Sequence, residues 1–237
     1  MGSVYLLTLR QLSGRWRLVI MSVLAFMPVL ITAMIVRSTS APSVQEFELV
    51  VFSAMLAGSI APLVVLAIAT AAFANEVEDR TLANLTLSPI PRWQIAVPKL
   101  LATMSVAGPF IALSALATGH LAFNADWTAT IAITVAALAG VALYSSAFVW
   151  LGLVTTQAIG VGLLYIVLWE GFFSGFVSGV RLFSIRHYSI ALMHGLDARR
   201  FAAADNLGFG VAIGVSVVVF VGFLLLTIRR LRRMDVP

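Results

Sequence analysis

Charge is what this chain has least of. Asp, Glu, Lys and Arg make up 11% of its 237 residues, against roughly 25% in an ordinary soluble domain. With 61% hydrophobic residues, the composition excludes a soluble domain and places most of the chain in lipid. Cysteine is absent, which removes disulfides and thiolate chemistry. The single lysine, Lys99, stands between Pro98 and Leu100. A phosphate-binding loop of the form G-x-x-x-x-G-K-[ST] therefore cannot be written, and with it goes that route to ATP. His120, His187 and His194 are the only histidines, and none lies within four residues of a glutamate. That excludes H-E-x-x-H hydrolases. The three histidines are expected at interfaces or surfaces, with no metal bound. Ser174, within Gly171–Gly175, could be imagined as a nucleophile with His187 or His194 as base, but small residues there are better read as helix packing. The net charge of +5 has no polar domain to present it, so it reads as membrane topology and not as a nucleic-acid surface.

What the chain does have is long apolar stretches, at about 18–36, 49–74, 95–119, 128–154, 158–180 and 207–228. At about 1.5 Å per residue each is long enough to cross a hydrocarbon core of roughly 30 Å. The expected fold is an all-α membrane protein with six transmembrane helices, in one transmembrane domain over residues 1–237. Residues 4–17 mix apolar residues with arginines and read as an amphipathic helix in the interface. Six crossings put both termini on one side. Ten basic residues share that side: Arg10, Arg15, Arg17, Arg80, Arg92, Lys99 and four in the tail. Five lie opposite, namely Arg37, Arg181, Arg186, Arg199 and Arg200. The excess makes the termini cytoplasmic.

The fifth stretch is interrupted. Only twelve residues, Ala158–Trp169, precede Glu170, about 18 Å of helix and too short to span alone. An ionised side chain near the centre of a span costs about 2.5–3.5 kcal/mol on insertion scales, so Glu170 needs a reason. It either lines a substrate path or gate with Phe172, Phe173 and Phe176, or pairs with Arg181, or caps the helices that follow. Gly171, Gly175 and Gly179 recur every four residues and predict close helix packing. Residues 170–206 are read as the end of the fifth span plus one or two short helices dipping into the outer leaflet, a re-entrant hairpin tolerated only when buried against protein.

The polar interruption at 75–99 has internal order. Glu76, Glu78 and Asp79 put acid at a helix start, where the dipole favours it. Leu82 and Leu85 supply one apolar edge. Ser88 before Pro89 ends the helix, and Pro91 suits the first turn of the next, which runs through Trp93. Such a helix lying across the ends of two spans is a surface for docking something cytoplasmic.

In this stretch the chain resembles the permease subunit of type-2 ABC transporters, the ABC-2 family. That family commonly carries acidic residues, then Gly-Thr-Leu-Glu, a leucine, a proline, an arginine and a lysine at the cytoplasmic end of its second span. Glu76, Glu78, Thr81, Leu82, Leu85, Pro89, Arg92 and Lys99 match in order. Arg80 stands for the usual glycine and Ala83 for the usual glutamate. The N-terminal helix, six spans and outer hairpin agree in outline. The resemblance implies a half-transporter in a bacterial or archaeal plasma membrane. Two permease copies or paralogues would form the export pathway, each docking a separate ATPase subunit that binds ATP and Mg, with no cofactor in this chain. The docking set would be Glu76, Glu78, Asp79, Thr81, Leu82, Leu85, Pro89, Arg92 and Trp93. The competing readings are a non-transporting anchor or sensor that recruits a cytoplasmic partner, and a secondary carrier using Glu170.

Overall fold

A computed structural model describes residues 2–38, 43–73, 91–173, 184–201 and 207–233. Among the described residues there are helices and no strand. Five helices are long and apolar enough to cross a membrane: α2 (Arg15–Arg37), α3 (Val44–Phe73), α4 (Trp93–Ala122), α5 (Trp127–Val154) and α8 (Phe209–Arg233). They are preceded by α1 (Gly2–Leu12). Two shorter helices, α6 (Ala158–Phe172) and α7 (Ile185–Leu196), come between α5 and α8. The chain is an all-helical, multi-pass membrane protein.

Of the fifth span expected over 158–180, α6 accounts for the fifteen residues Ala158–Phe172, about 22 Å of helix at about 1.5 Å per residue; residues 174–180 lie outside the described residues. The start of the second span moves, from 49 to Val44. Ser43 and Glu46 form a capping box there: the Ser43 hydroxyl accepts from the Glu46 N–H, and the Glu46 carboxylate accepts from the Ser43 N–H. That exchange satisfies backbone donors of the first turn and carries the helix through two glutamates that hydropathy leaves out.

α1 is shorter than the 4–17 expected. The Ser13 hydroxyl turns back to the Leu9 carbonyl, and Gly14 leaves helical geometry. The buried face of α1 is Tyr5, Thr8, Leu9 and Leu12, at helical spacing, and it packs along α4. The Tyr5 hydroxyl donates to Ser105 at 3.0 Å.

α3, α4 and α5 form the centre, with 61%, 50% and 67% of their most apolar windows buried, against 22% for α2 and 11% for α8. Contacts define two ends. At one, Phe123 meets Phe47 at 4.7 Å and Phe201 at 5.6 Å, Glu48 bonds His194 at 2.6 Å, and Asp126 pairs with Arg200 at 3.1 Å. At the other, Gly152 lies against the Thr70 backbone so closely that a Cβ would sit 2.7 Å from its carbonyl oxygen. α6 and α7 divide the height between them. Gly162 of α6 lies on Leu66, towards the Thr70 end. In α7, Ser189 lies on Gly140, halfway along α5, and Arg186 lies on Gly58, halfway along α3, while His194 reaches Glu48.

Two cations counted above with the loop charges thus pack within the helix bundle, Lys99 buried and Arg186 half-buried. Arg186 packs at mid-height of α3, and Lys99 is 1% exposed. Hydropathy could not separate them from their apolar surroundings.

Candidate functional site

Two widened helical stretches pack against each other, Phe47–Ile60 in α3 and Tyr165–Phe173 in α6. Their backbone bonds run i→i+5, as from the Ala61 N–H to the Leu56 carbonyl. Such wide turns in a helix are frequent at functional sites. The pattern sets Tyr165 and Glu170, five apart, on one side of the helix. The Tyr165 hydroxyl donates to Glu170 Oε1 at 2.9 Å.

Glu170 is fully buried. Besides Tyr165 it takes the backbone N–H of Ile185 at 2.9 Å on the same oxygen, and the Ser184 hydroxyl on Oε2. Ser184 is the N-cap of α7, and its oxygen in turn accepts from the His187 N–H at 3.3 Å. The first turn of α7 has no acid of its own. Glu170 provides one from the preceding helix, where the positive end of the α7 dipole favours it. The carboxylate thereby joins the two short helices: it belongs to one and caps the other. Of the readings left open for Glu170, capping is what the geometry displays; Arg181 lies outside the described residues. Nearby, the Tyr144 hydroxyl donates to the Ala57 carbonyl at 3.3 Å, inside the widened part of α3.

A second polar feature sits at the Thr70 end. The Lys99 ammonium donates to the Ala72 carbonyl and stands 4.6 Å from the centre of the Phe73 ring. Ala72 and Phe73 are the last described residues before 74–90, and Lys99 belongs to the second turn of the helix that follows. One buried side chain so ties together the two stems of the polar segment. Its charge is met by a backbone carbonyl and by an aromatic face.

Most of the expected docking residues, Glu76, Glu78, Asp79, Thr81, Leu82, Leu85 and Pro89, lie outside the described residues. Arg92 immediately precedes α4, and its carbonyl accepts from Ile95 and Ala96 at 3.1 Å. Trp93 opens the helix and is exposed. Pro91 comes just before them, consistent with a helix beginning there. Phe172 is exposed. Phe173 closes the widened stretch, and Phe176 lies outside the described residues. Gly171 is exposed, and among the described residues a Cβ there would meet only its own helix, at the Ile166 carbonyl 3.6 Å away. Gly175 and Gly179 are outside the described residues. Glycines that do bring helices together include Gly58, Gly119, Gly140, Gly152, Gly162 and Gly195. Sequence reading missed them because they follow no spacing rule. It also missed Tyr165 and Ser184, whose only signal was proximity to Glu170.

His194 was expected at a surface or interface and is instead buried, bonded to Glu48 and stacked on Phe201. No curated protein matches the chain. A family profile described as ABC-2 family transporter protein matches residues 9–185, more than two thirds of the length, from within α1 to the start of α7. The match takes in the central helices, the Lys99 tie and Glu170 with its partners as far as Ile185, and the chain belongs to the ABC-2 family of transporter membrane proteins.

Proposed function

We propose that the chain is the permease subunit of an ATP-binding-cassette exporter, forming half of the substrate pathway and docking a separate ATPase through residues 75–93. The observation that carries the docking assignment is the buried Lys99 tie. A push on the polar segment enters α3 and α4 together, because both its stems meet at that side chain. ATP and Mg belong to the ATPase, and a second permease copy or paralogue completes the pathway within the lipid. In this reading α6 and α7 are two halves of a fifth crossing, which gives six in all and puts both termini on one side. With Lys99 and Arg186 set aside as packed within the bundle, nine basic residues lie on the terminal side and four opposite. That balance makes the termini cytoplasmic, in a bacterial or archaeal plasma membrane. Glu170 then stands between the two half-helices, a place for a gate to which Phe172, Phe173 and Phe176 would contribute, since broken helices at mid-membrane are where transporters commonly bind and switch.

The test is copurification with the ATPase after Leu82→Asp and Leu85→Asp. Loss of the partner with a folded permease supports docking there; undiminished copurification removes the assignment. Substrate-dependent ATP hydrolysis by the reconstituted complex excludes a mere anchor or sensor.

A further inference from the structure

Between α5, α6, α7 and α8 lies a half-open cavity of about 480 Å³, within the roughly 300–1,000 Å³ usual for small-molecule sites. Six of its eleven wall residues are aromatic, Phe148, Trp150, Tyr165, Trp169, Tyr188 and Phe223, and none of the eleven is charged. The hydroxyl of Tyr165 is engaged by Glu170. From Val161 to Trp169 the α6 wall rises about 12 Å at about 1.5 Å per residue. Its contacts place it between the Thr70 end and mid-height, with Tyr188 of α7 the lining residue nearest mid-height.

We propose that this cavity binds the hydrocarbon chain of a lipid-like molecule. An uncharged wall discriminates against ions, sugars and polar peptides, whose groups would lose hydration with nothing in return. The wall rings also argue against a flat aromatic ligand. Trp150 and Phe223 stand 5.7 Å apart at 53°, and Phe148 and Tyr165 6.3 Å apart at 80°. These pairs are tilted or edge-to-face, so they offer no parallel slot for a planar ring. A flexible chain can run past ring edges for the height of the wall. The site goes beyond the permease reading and does not depend on ATPase docking, since binding is measured on the permease alone.

Two of the wall residues are tryptophans and serve as reporters. The full chain, with Trp16, Trp93 and Trp127 changed to Phe, is purified in detergent and titrated with phospholipid carrying brominated acyl chains, which quench nearby indole. Saturable quenching, reversed by the same lipid without bromine, is expected. Val161→Phe and Val219→Phe, each placing a ring in the cavity, are expected to weaken it at least tenfold. Native mass spectrometry counts bound chains on the same proteins, and unchanged thermal unfolding shows that a filled variant is folded. Quenching that rises linearly without saturation, or is undiminished in both folded filled variants, overturns the proposal. So does competition by a planar aromatic such as anthracene but not by unbrominated chains. With the ATPase and ATP added to the protein that keeps its native Trp93, a fall in bound chains by native mass spectrometry identifies the chain as cargo, and an unchanged number identifies a resident lipid. Both outcomes support a chain site.

Discussion

Replacing Glu170 by Ala and by Gln separates what its shape does from what its charge does. Its carboxylate takes three donors: the Tyr165 hydroxyl, the Ser184 hydroxyl and the Ile185 N–H. Alanine leaves all three without their acceptor in a fully buried place. Each orphaned buried donor costs about 1–3 kcal/mol. Relief of the carboxylate's own desolvation offsets part of the loss, so the low end, about 3 kcal/mol, is the expected destabilisation. Glutamine keeps the oxygen shared by Tyr165 and Ile185 and turns an NH₂ towards Ser184, whose hydroxyl can rotate to accept it. Its expected loss is about 1 kcal/mol. For a chain of this size, at roughly 2–4 °C per kcal/mol, alanine lowers Tm by about 6–12 °C and glutamine by about 2–4 °C. The assay is thermal unfolding in detergent, with hydrogen exchange of α7 as a local readout. Only the alanine variant should expose the first turn of α7, because only it removes the cap. Equal losses in the two variants, or a glutamine variant less stable than alanine, would refute the capping argument and make the negative charge the important quantity.

Other expectations follow from single contacts. Gly152→Ala puts a methyl 2.7 Å from the Thr70 carbonyl and 3.0 Å from its Cα; backbone cannot swing aside, so a loss of about 1–3 kcal/mol is expected. Gly162→Ala meets a Leu66 methyl, which can rotate, and thermal unfolding should show it to be the milder of the two changes. Ala125 has a φ of 66°, left-handed for a residue with a Cβ, so Ala125→Gly should raise stability by about 1 kcal/mol, read as a small rise in Tm. Lys99→Met removes the tie to Ala72 and Phe73 while filling similar space. The ATPase should still copurify, but substrate-stimulated ATP hydrolysis should fall several-fold, and Lys99→Arg should restore part of it. Unchanged stimulation in the methionine variant would count against transmission through that side chain.

The broad outline was legible in residue order because it depends on windows of about twenty residues, and hydropathy is a property of windows. α4, α5 and α8 appear within a few residues of where apolar stretches begin and end. The start of α3 was legible too, in the Ser43–Glu46 spacing, but only to a reader looking for a cap and not for grease. Family membership was legible in the polar segment, whose motif the chain carries although its residues lie mostly outside those described.

By itself, then, the order of residues determined that this is a helical membrane protein of the ABC-2 family with a buried carboxylate to account for. Tertiary structure alone decided how the buried polar groups are satisfied. Lys99 meets Ala72 across 27 residues, Tyr144 meets Ala57 across 87, and His194 meets Glu48 across 146. It also decided that α6 and α7 share one height of the bundle, and that Arg186 sits on Gly58 and not in a loop. The reason is the solvent. In an apolar surrounding a polar group must find its partner within the protein, and which partner is near depends on which helices pack together, a fact no local stretch of sequence contains.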